Sequence, residues 1–182
     1  MYYHLLFVAL LSLLLESSTA RPLDLPDKAD AKPDQSPSSK RSAQEIITQL
    51  NLIPNPERGW YSQTFEDPET INNRSASTAI YYLLEKGEVS YWHRVLDATE
   101  LWHYYSGAPL RLSLSFDDGQ PVRQPTLGPD IFDNQAPQIV IEKGQWQRAQ
   151  SLGDWTLVGC TVAPGFTFGG FELAAEGWEP QG

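Results

Sequence analysis

The chain has 182 residues, enough for one domain with a real core. Phe, Trp and Tyr make up 12% of it, which excludes a chain that stays wholly disordered. A net charge of −10 without a basic stripe excludes a nucleic-acid backbone as partner and reads as an acidic, solvated surface.

Residues 1–20 read as a signal peptide. Leu5 to Leu15 is almost wholly apolar, and Ser18-Thr19-Ala20 offers small residues for cleavage. His4 stands where a basic residue is usual, so an uncleaved anchor is the alternative. The run is short for a bilayer span, and no stable membrane insertion is expected. Residues 21–41 are rich in Pro, Asp, Ser and Lys and have no apolar period, so they read as a disordered linker or pro-segment. This stretch ends in Lys40-Arg41, either a dibasic processing site or two solvated charges. Together these features point to a secreted protein or one of the secretory-pathway lumen. Asn73-Arg74-Ser75 is then a usable N-glycosylation sequon, with Asn73 as acceptor.

The domain spans residues 42–176, with 177–182 as a C-terminal tail. Ser42 to Leu52 is expected to be a short helix, capped by Ser42 and striped with Ile46, Ile47 and Leu50; Pro54 and Pro56 end it. Short β-rich runs follow. They are Trp60 to Phe65, Ser77 to Leu84, Val89 to Val95, Leu101 to Tyr105, Leu110 to Phe116, Gln138 to Ile141, Trp146 to Ala149, Trp155 to Val162 and Phe166 to Leu173. Many short strands with no long helix between them predict an all-β sandwich or barrel. The lone Cys160 allows no internal disulfide and lies in an apolar run, which suits a buried small hydrophobe.

Strand alternation gives a candidate site. Glu100, Trp102 and Tyr104 share one face, and His93 shares one with Val95. A histidine, a carboxylate and aromatics facing one interior are what a small-molecule pocket requires. Gly87, His93, Glu100 and Gly107 have the spacing of the first cupin motif. Ile141 to Gln147 matches the second motif, with Gln147 where a histidine is usual. Ordered segments resemble a branch of small single-domain cupins, the cupin-5-like branch with a sugar-epimerase-like (RmlC-like) fold. They include Trp92-His93-Arg94-Val95, Glu100-Leu101-Trp102-His103 and Trp155 to Phe166. The resemblance covers about Ala43 to Ala174. Pro54-Asn55-Pro56-Glu57-Arg58-Gly59 departs from that branch's Pro-His-Pro-Glu-Gly-Gly.

The resemblance implies a cupin jelly-roll β-barrel with a short N-terminal helix, pairing as a homodimer. It also implies a small oxygenated molecule, such as a carbohydrate, in the barrel. Metal-binding cupins use three His and one Glu. Here Val95 replaces one His and Gln147 another, leaving His93, Glu100 and Gln147 as a weak set for a divalent metal ion. Without metal, His93 serves as general base or acid oriented by Glu100, with Tyr104 or Tyr82 as the acid. Trp102, Tyr82 and Gln147 are expected to line the pocket, and His103 to point outward. The activities implied are isomerase/epimerase or lyase; the alternatives are non-catalytic, sugar-like ligand binding and a dimeric structural cupin.

Overall fold

The computed structural model describes residues 40–181. The signal segment, the linker up to residue 39 and Gly182 lie outside the described residues. No helix among the described residues is long and apolar enough to cross a membrane.

The predicted helix forms as α1, Ala43–Gln49. Ser42 accepts a bond from the Glu45 backbone N–H, and Glu45 accepts one from the Ser42 N–H. Closing this capping box satisfies two otherwise orphaned donors, worth about 1 kcal/mol. The Trp155 indole N–H holds the Arg41 carbonyl at 2.8 Å, so the helix start is tied to the barrel. Ala43, Ile47 and Leu52 pack on Leu83 and Trp155, and burying Ile47 contributes about 2 kcal/mol.

Fourteen strands follow among the described residues, the longer ones close to the expected runs. They are β1 (Ile53–Pro54), β2 (Trp60–Glu66), β3 (Thr70–Ile71), β4 (Arg74–Ser75), β5 (Thr78–Glu85), β6 (His93–Val95) and β7 (Thr99–Gly107), then β8 (Leu110–Ser115), β9 (Thr126–Leu127), β10 (Gln135–Ala136), β11 (Gln138–Ile141), β12 (Trp146–Ser151), β13 (Trp155–Ala163) and β14 (Phe171–Leu173). One sheet runs β1-β2-β5-β13-β7-β11 and the other β10-β9-β8-β12-β6-β14. Pairing is antiparallel throughout except between β9 and β10. The first sheet gives Tyr82, Leu84, Trp102 and Val158 to the interior, and the second gives Leu110, Leu112, Leu114 and Ala149. This is the jelly-roll barrel that the sequence predicts.

β5 has both faces covered, which is why its sequence is a continuous apolar run rather than an alternating one. Ile80, Tyr82 and Leu84 face the barrel interior while Tyr81 and Leu83 lie under α1. The motif glycines have physical reasons. Gly87 takes φ +79 in an open turn; Gly107 takes φ +92, and a Cβ there would come within 2.4 Å of the Trp155 carbonyl.

Two expected strands are shorter than predicted. Of Val89 to Val95 only His93–Val95 pairs as a strand, because the N–H of Tyr91 goes to the Glu57 carbonyl and the N–H of Ser90 to Ala149. Of Phe166 to Leu173 only the last three residues are strand; Phe168–Gly170 is a 3₁₀ turn capped by Thr167. Trp178 and Glu179, in the segment read as a C-terminal tail, are held against the barrel. Trp178 stacks on Trp146 at 4.4 Å between centroids and meets Trp92 edge-on. Glu179 accepts from the Trp92 indole and from Arg148. Trp178→Ala is expected to cost about 1–3 kcal/mol, read as a fall in the melting temperature by calorimetry.

Candidate functional site

Leucines and aromatics fill one end of the barrel and a cavity of about 140 Å³ occupies the other. The change can be followed along single strands. On β5, Thr78 and Ile80 line the cavity while Tyr82 and Leu84 are core; on β13, Val162 and Cys160 line it and Val158 does not. Engineered cavities of about this size take a benzene-sized molecule, so the space suits roughly six to ten non-hydrogen atoms.

His93 on β6 and Glu100 on β7 come from opposite sheets and both face this cavity. Gln147 on β12 is the cross-strand partner of His93 and is fully buried. Its amide Nε2 donates to Glu100 Oε2 at 2.5 Å. The three residues picked out by the motif spacing therefore converge in a largely dry interior. Gln147 stands behind Glu100 rather than at the cavity wall.

A fourth group, missed in the sequence, completes the cluster. Glu57 lies in the turn between β1 and β2 and lines the cavity, with Oε2 3.1 Å from His93 Nε2. Its position follows from the local chemistry of Pro54 to Gly59. The Asn55 side chain accepts the Glu57 N–H, and the Asn55 carbonyl accepts the Arg58 N–H. Arg58 and Gly59 both take positive φ, 79° and 72°, and turn the chain into β2. A non-glycine residue at such a φ costs about 1 kcal/mol or more. Arg58 offsets this by lying over the Tyr91 ring at 4.2 Å and donating to the Tyr91 hydroxyl. The clue in the sequence was the tight Pro-Asn-Pro-Glu-Arg-Gly turn, which had to point one of its side chains somewhere.

The other expected site residues stand elsewhere. Tyr82, fully buried, donates its hydroxyl to the Arg58 carbonyl at 2.9 Å; it pins the Glu57 turn from beneath and does not line the cavity. Trp102 is packed edge-on against Tyr82, one layer deeper than the wall. Tyr104 shares the inward face of β7, but its hydroxyl is spent on the Gly107 carbonyl at 2.6 Å, away from His93. It is not positioned to act as the acid. His103 faces Thr161 on the outer side of the sheet. Asn73 is exposed in the two-residue hairpin turn between β3 and β4, where it and Asn72 take positive φ.

The aromatic wall also lies outside the motifs. Phe166, Phe168 and Phe171 line the cavity from the segment after β13. Phe166 meets both of the others at steep angles, with centroids 5.3 and 5.6 Å away.

The protonation pattern follows from the bonds. A carbonyl only accepts, so the 2.9 Å contact between His93 Nδ1 and the Tyr91 carbonyl puts a proton on Nδ1. Nε2 of the neutral ring is then the acceptor that faces Glu57. Burial pushes the Glu57 carboxyl up to about 8. Burial pushes His93 down, partly offset by Glu100 and the Tyr91 carbonyl. Both directions favour the uncharged pair, with the proton on Glu57 pointing at His93 Nε2. Glu100 is raised too, chiefly by burial, against the opposing pull of His93 and the Gln147 bond. Burial holds the Cys160 thiol well above its usual range, so it is an inert wall residue.

A divalent ion on His93, Glu100 and Gln147 does not fit these residues. Val95 has no lone pair to offer. Gln147 turns an N–H toward Glu100, and its Oε1 is buried without a partner. His93 has both nitrogens engaged by Tyr91 and Glu57. Among the described residues no group of three or more His, Cys, Asp or Glu side chains is placed to hold an ion.

Residues 44–174 match the family described as the cupin superfamily (DUF985). The chain belongs to that family. A solved structure of a Shewanella oneidensis protein is 33% identical, with a TM-score of 0.69, covering 74% of this chain and 85% of that one. A hypothetical protein from Leishmania major is 27% identical, with a TM-score of 0.68, covering 72% and 86%. CapF, solved with the inhibitor 3-isopropenyl-tropolone, shares the fold at 14% identity and a TM-score of 0.52, over 66% of this chain and 33% of that one. No curated protein matches the chain.

The pair makes stability depend on pH. Glu57 has a folded pKa above its unfolded value, so the native state holds the extra proton and loses stability as pH rises toward about 8. The lowered His93 acts in the opposite sense, but only below its unfolded value of 6.5. Between pH 6.5 and 8 the wild type should therefore lose on the order of 1 kcal/mol, measured by urea unfolding. Glu57→Gln should flatten that slope.

Proposed function

We propose that this protein is a secretory-pathway cupin that binds a small oxygenated molecule in the barrel cavity and moves protons on it, as an isomerase or epimerase does. The observation that carries the reading is the contact of His93 Nε2 with Glu57 Oε2 at the cavity wall. A neutral pair of this kind is an acid and a base side by side. A hydroxycarbonyl compound entering between them would give a carbon-bound proton to His93 Nε2. Glu57 would give its proton to the carbonyl oxygen, and the product is an enol. Reversal on the neighbouring carbon or the other face gives the isomer or epimer. Glu100, steadied by Gln147, lies close enough to stabilise the imidazolium that forms.

The test is hydrogen–deuterium exchange in D₂O over a panel of three- to six-carbon hydroxycarbonyl compounds, followed by proton NMR. The wild type should exchange the proton next to the carbonyl of at least one of them. His93→Ala and Glu57→Gln should lose about 100-fold or more, while His103→Ala on the outer face keeps the rate. Wild-type exchange no faster than buffer ends the catalytic reading. Binding without turnover is the second reading, favoured by the loss of metal ligands at Val95 and Gln147. Native mass spectrometry would then find a retained small molecule that never exchanges.

The secretory setting is supported by the apolar run at residues 5–15 and by the exposure of Asn73 in its hairpin turn. Expressed in a secretory cell, the wild type should carry a mass increment removable by a glycosidase, absent in Asn73→Gln. A wild type of unmodified mass would count against that setting.

A further inference from the structure

The cavity wall has an unusual balance of charge. Its side chains include the carboxyls of Glu57 and Glu100 and no Lys or Arg. The nearby cations are engaged elsewhere. Arg58 lies on Tyr91, Arg74 pairs with Asp97 and donates to the Gly165 carbonyl with its Nη2 left unpartnered, and Arg94 pairs with Glu172 while covering Trp146. An anionic ligand would meet two carboxyls and, as its one base, a His93 that burial holds toward the neutral form, and would pay most of the cost of losing its water. A cation would let one buried carboxyl ionise beside it, and the attraction is strong because little water screens it.

The aromatic wall points the same way. Phe166 meets Phe168 and Phe171 at steep angles, and all three rings line the cavity. Phe168 is 76% exposed although it lines the cavity, so its ring finds little cover from the rest of the protein. Phenyl faces attract cations through their quadrupole, and cages of aromatic rings with an acid nearby suit alkylammonium groups. The volume of about 140 Å³ admits such a group with a short arm.

We infer that the ligand of this cavity carries a positive charge, as a small alkylammonium group held between the phenylalanine wall and the Glu100 carboxyl. The inference rests on the cavity being the binding site and adds the chemical class of its occupant. The oxygenated part of the molecule, a hydroxyl or carbonyl on a short arm, then lies toward His93.

Two probes of nearly the same shape isolate the charge. Choline carries a quaternary nitrogen; 3,3-dimethyl-1-butanol has carbon in its place and is neutral. Titration calorimetry on the wild-type protein should find choline bound about 10-fold or more tighter. Phe168→Ala, at an exposed position that leaves folding intact, should weaken choline about fivefold or more and barely change the alcohol. Glu100→Gln should weaken choline selectively. If the alcohol binds as well as choline, or acetate binds better than either, the charge assignment is wrong while the cavity stands as a binding site. If none of the three binds, the inference also falls, and the exchange assay on uncharged hydroxycarbonyl compounds still reports on proton transfer.

Discussion

Gln147 reaches from one sheet to the carboxyl of Glu100 on the other, at the edge of a core built of leucines and aromatics. That hydrogen bond joins the two layers where leucine packing stops and the cavity starts. A buried polar group without a partner costs roughly 1–3 kcal/mol, so the cavity end of the barrel must be built as a polar cluster or not at all. Burial acts on every member of the cluster in one direction. It favours whichever form is uncharged, raising the Glu57 and Glu100 carboxyls and lowering His93. An acid and a base in contact are the outcome, set by placement alone.

The placement of the acid depends on a turn that is held from three sides. Tyr82 donates to the Arg58 carbonyl from below. The Tyr91 N–H donates to the Glu57 carbonyl, and the Tyr91 ring carries the Arg58 guanidinium. The same Tyr91 offers its own carbonyl to His93 Nδ1. Residue 91 therefore fixes the backbone of the acid and the tautomer of the base together. Strand geometry could not do both, because a ladder would consume the N–H and C=O that this arrangement uses. The loss of regular pairing at Val89 to Tyr91 serves the site.

Much of the barrel was legible in the sequence because its rules are local. Alternation placed Glu100, Trp102 and Tyr104 on one face of β7, and they lie on it. Spacing brought His93, Glu100 and Gln147 together. What alternation cannot give is depth along the barrel axis. Trp102 and Tyr104 follow Glu100 on the same face, yet each step of two residues moves about 7 Å away from the cavity. They become core, or bond their own strand end. Glu57 was hidden for a different reason. It sits in a turn with no period to read, and its role appears only when the turn folds against Tyr91, 34 positions later. Trp178 escaped for a similar reason, since the short segment after the last strand has no pattern except its partners Trp146 and Trp92.

The cupin scaffold offers the same interior positions whatever occupies them, and the occupants decide the chemistry. With Val95 and Gln147 in two of them, His93 gives its Nδ1 proton to a carbonyl and turns its one lone pair, on Nε2, to a carboxyl, and the cluster is arranged around a proton. Its excess of carboxyls over bases then matters beyond the cavity. The whole chain carries −10, and a cleft of one sign with low-dielectric walls focuses the field of the surface around it. An approaching anion would be repelled by the surface, denied a countercharge inside and stripped of its water. A small cation would be drawn in at long range, meet the phenylalanine wall, and pair with a buried carboxyl. The acidity of the surface and the missing Lys and Arg at the wall thus select the same class of ligand.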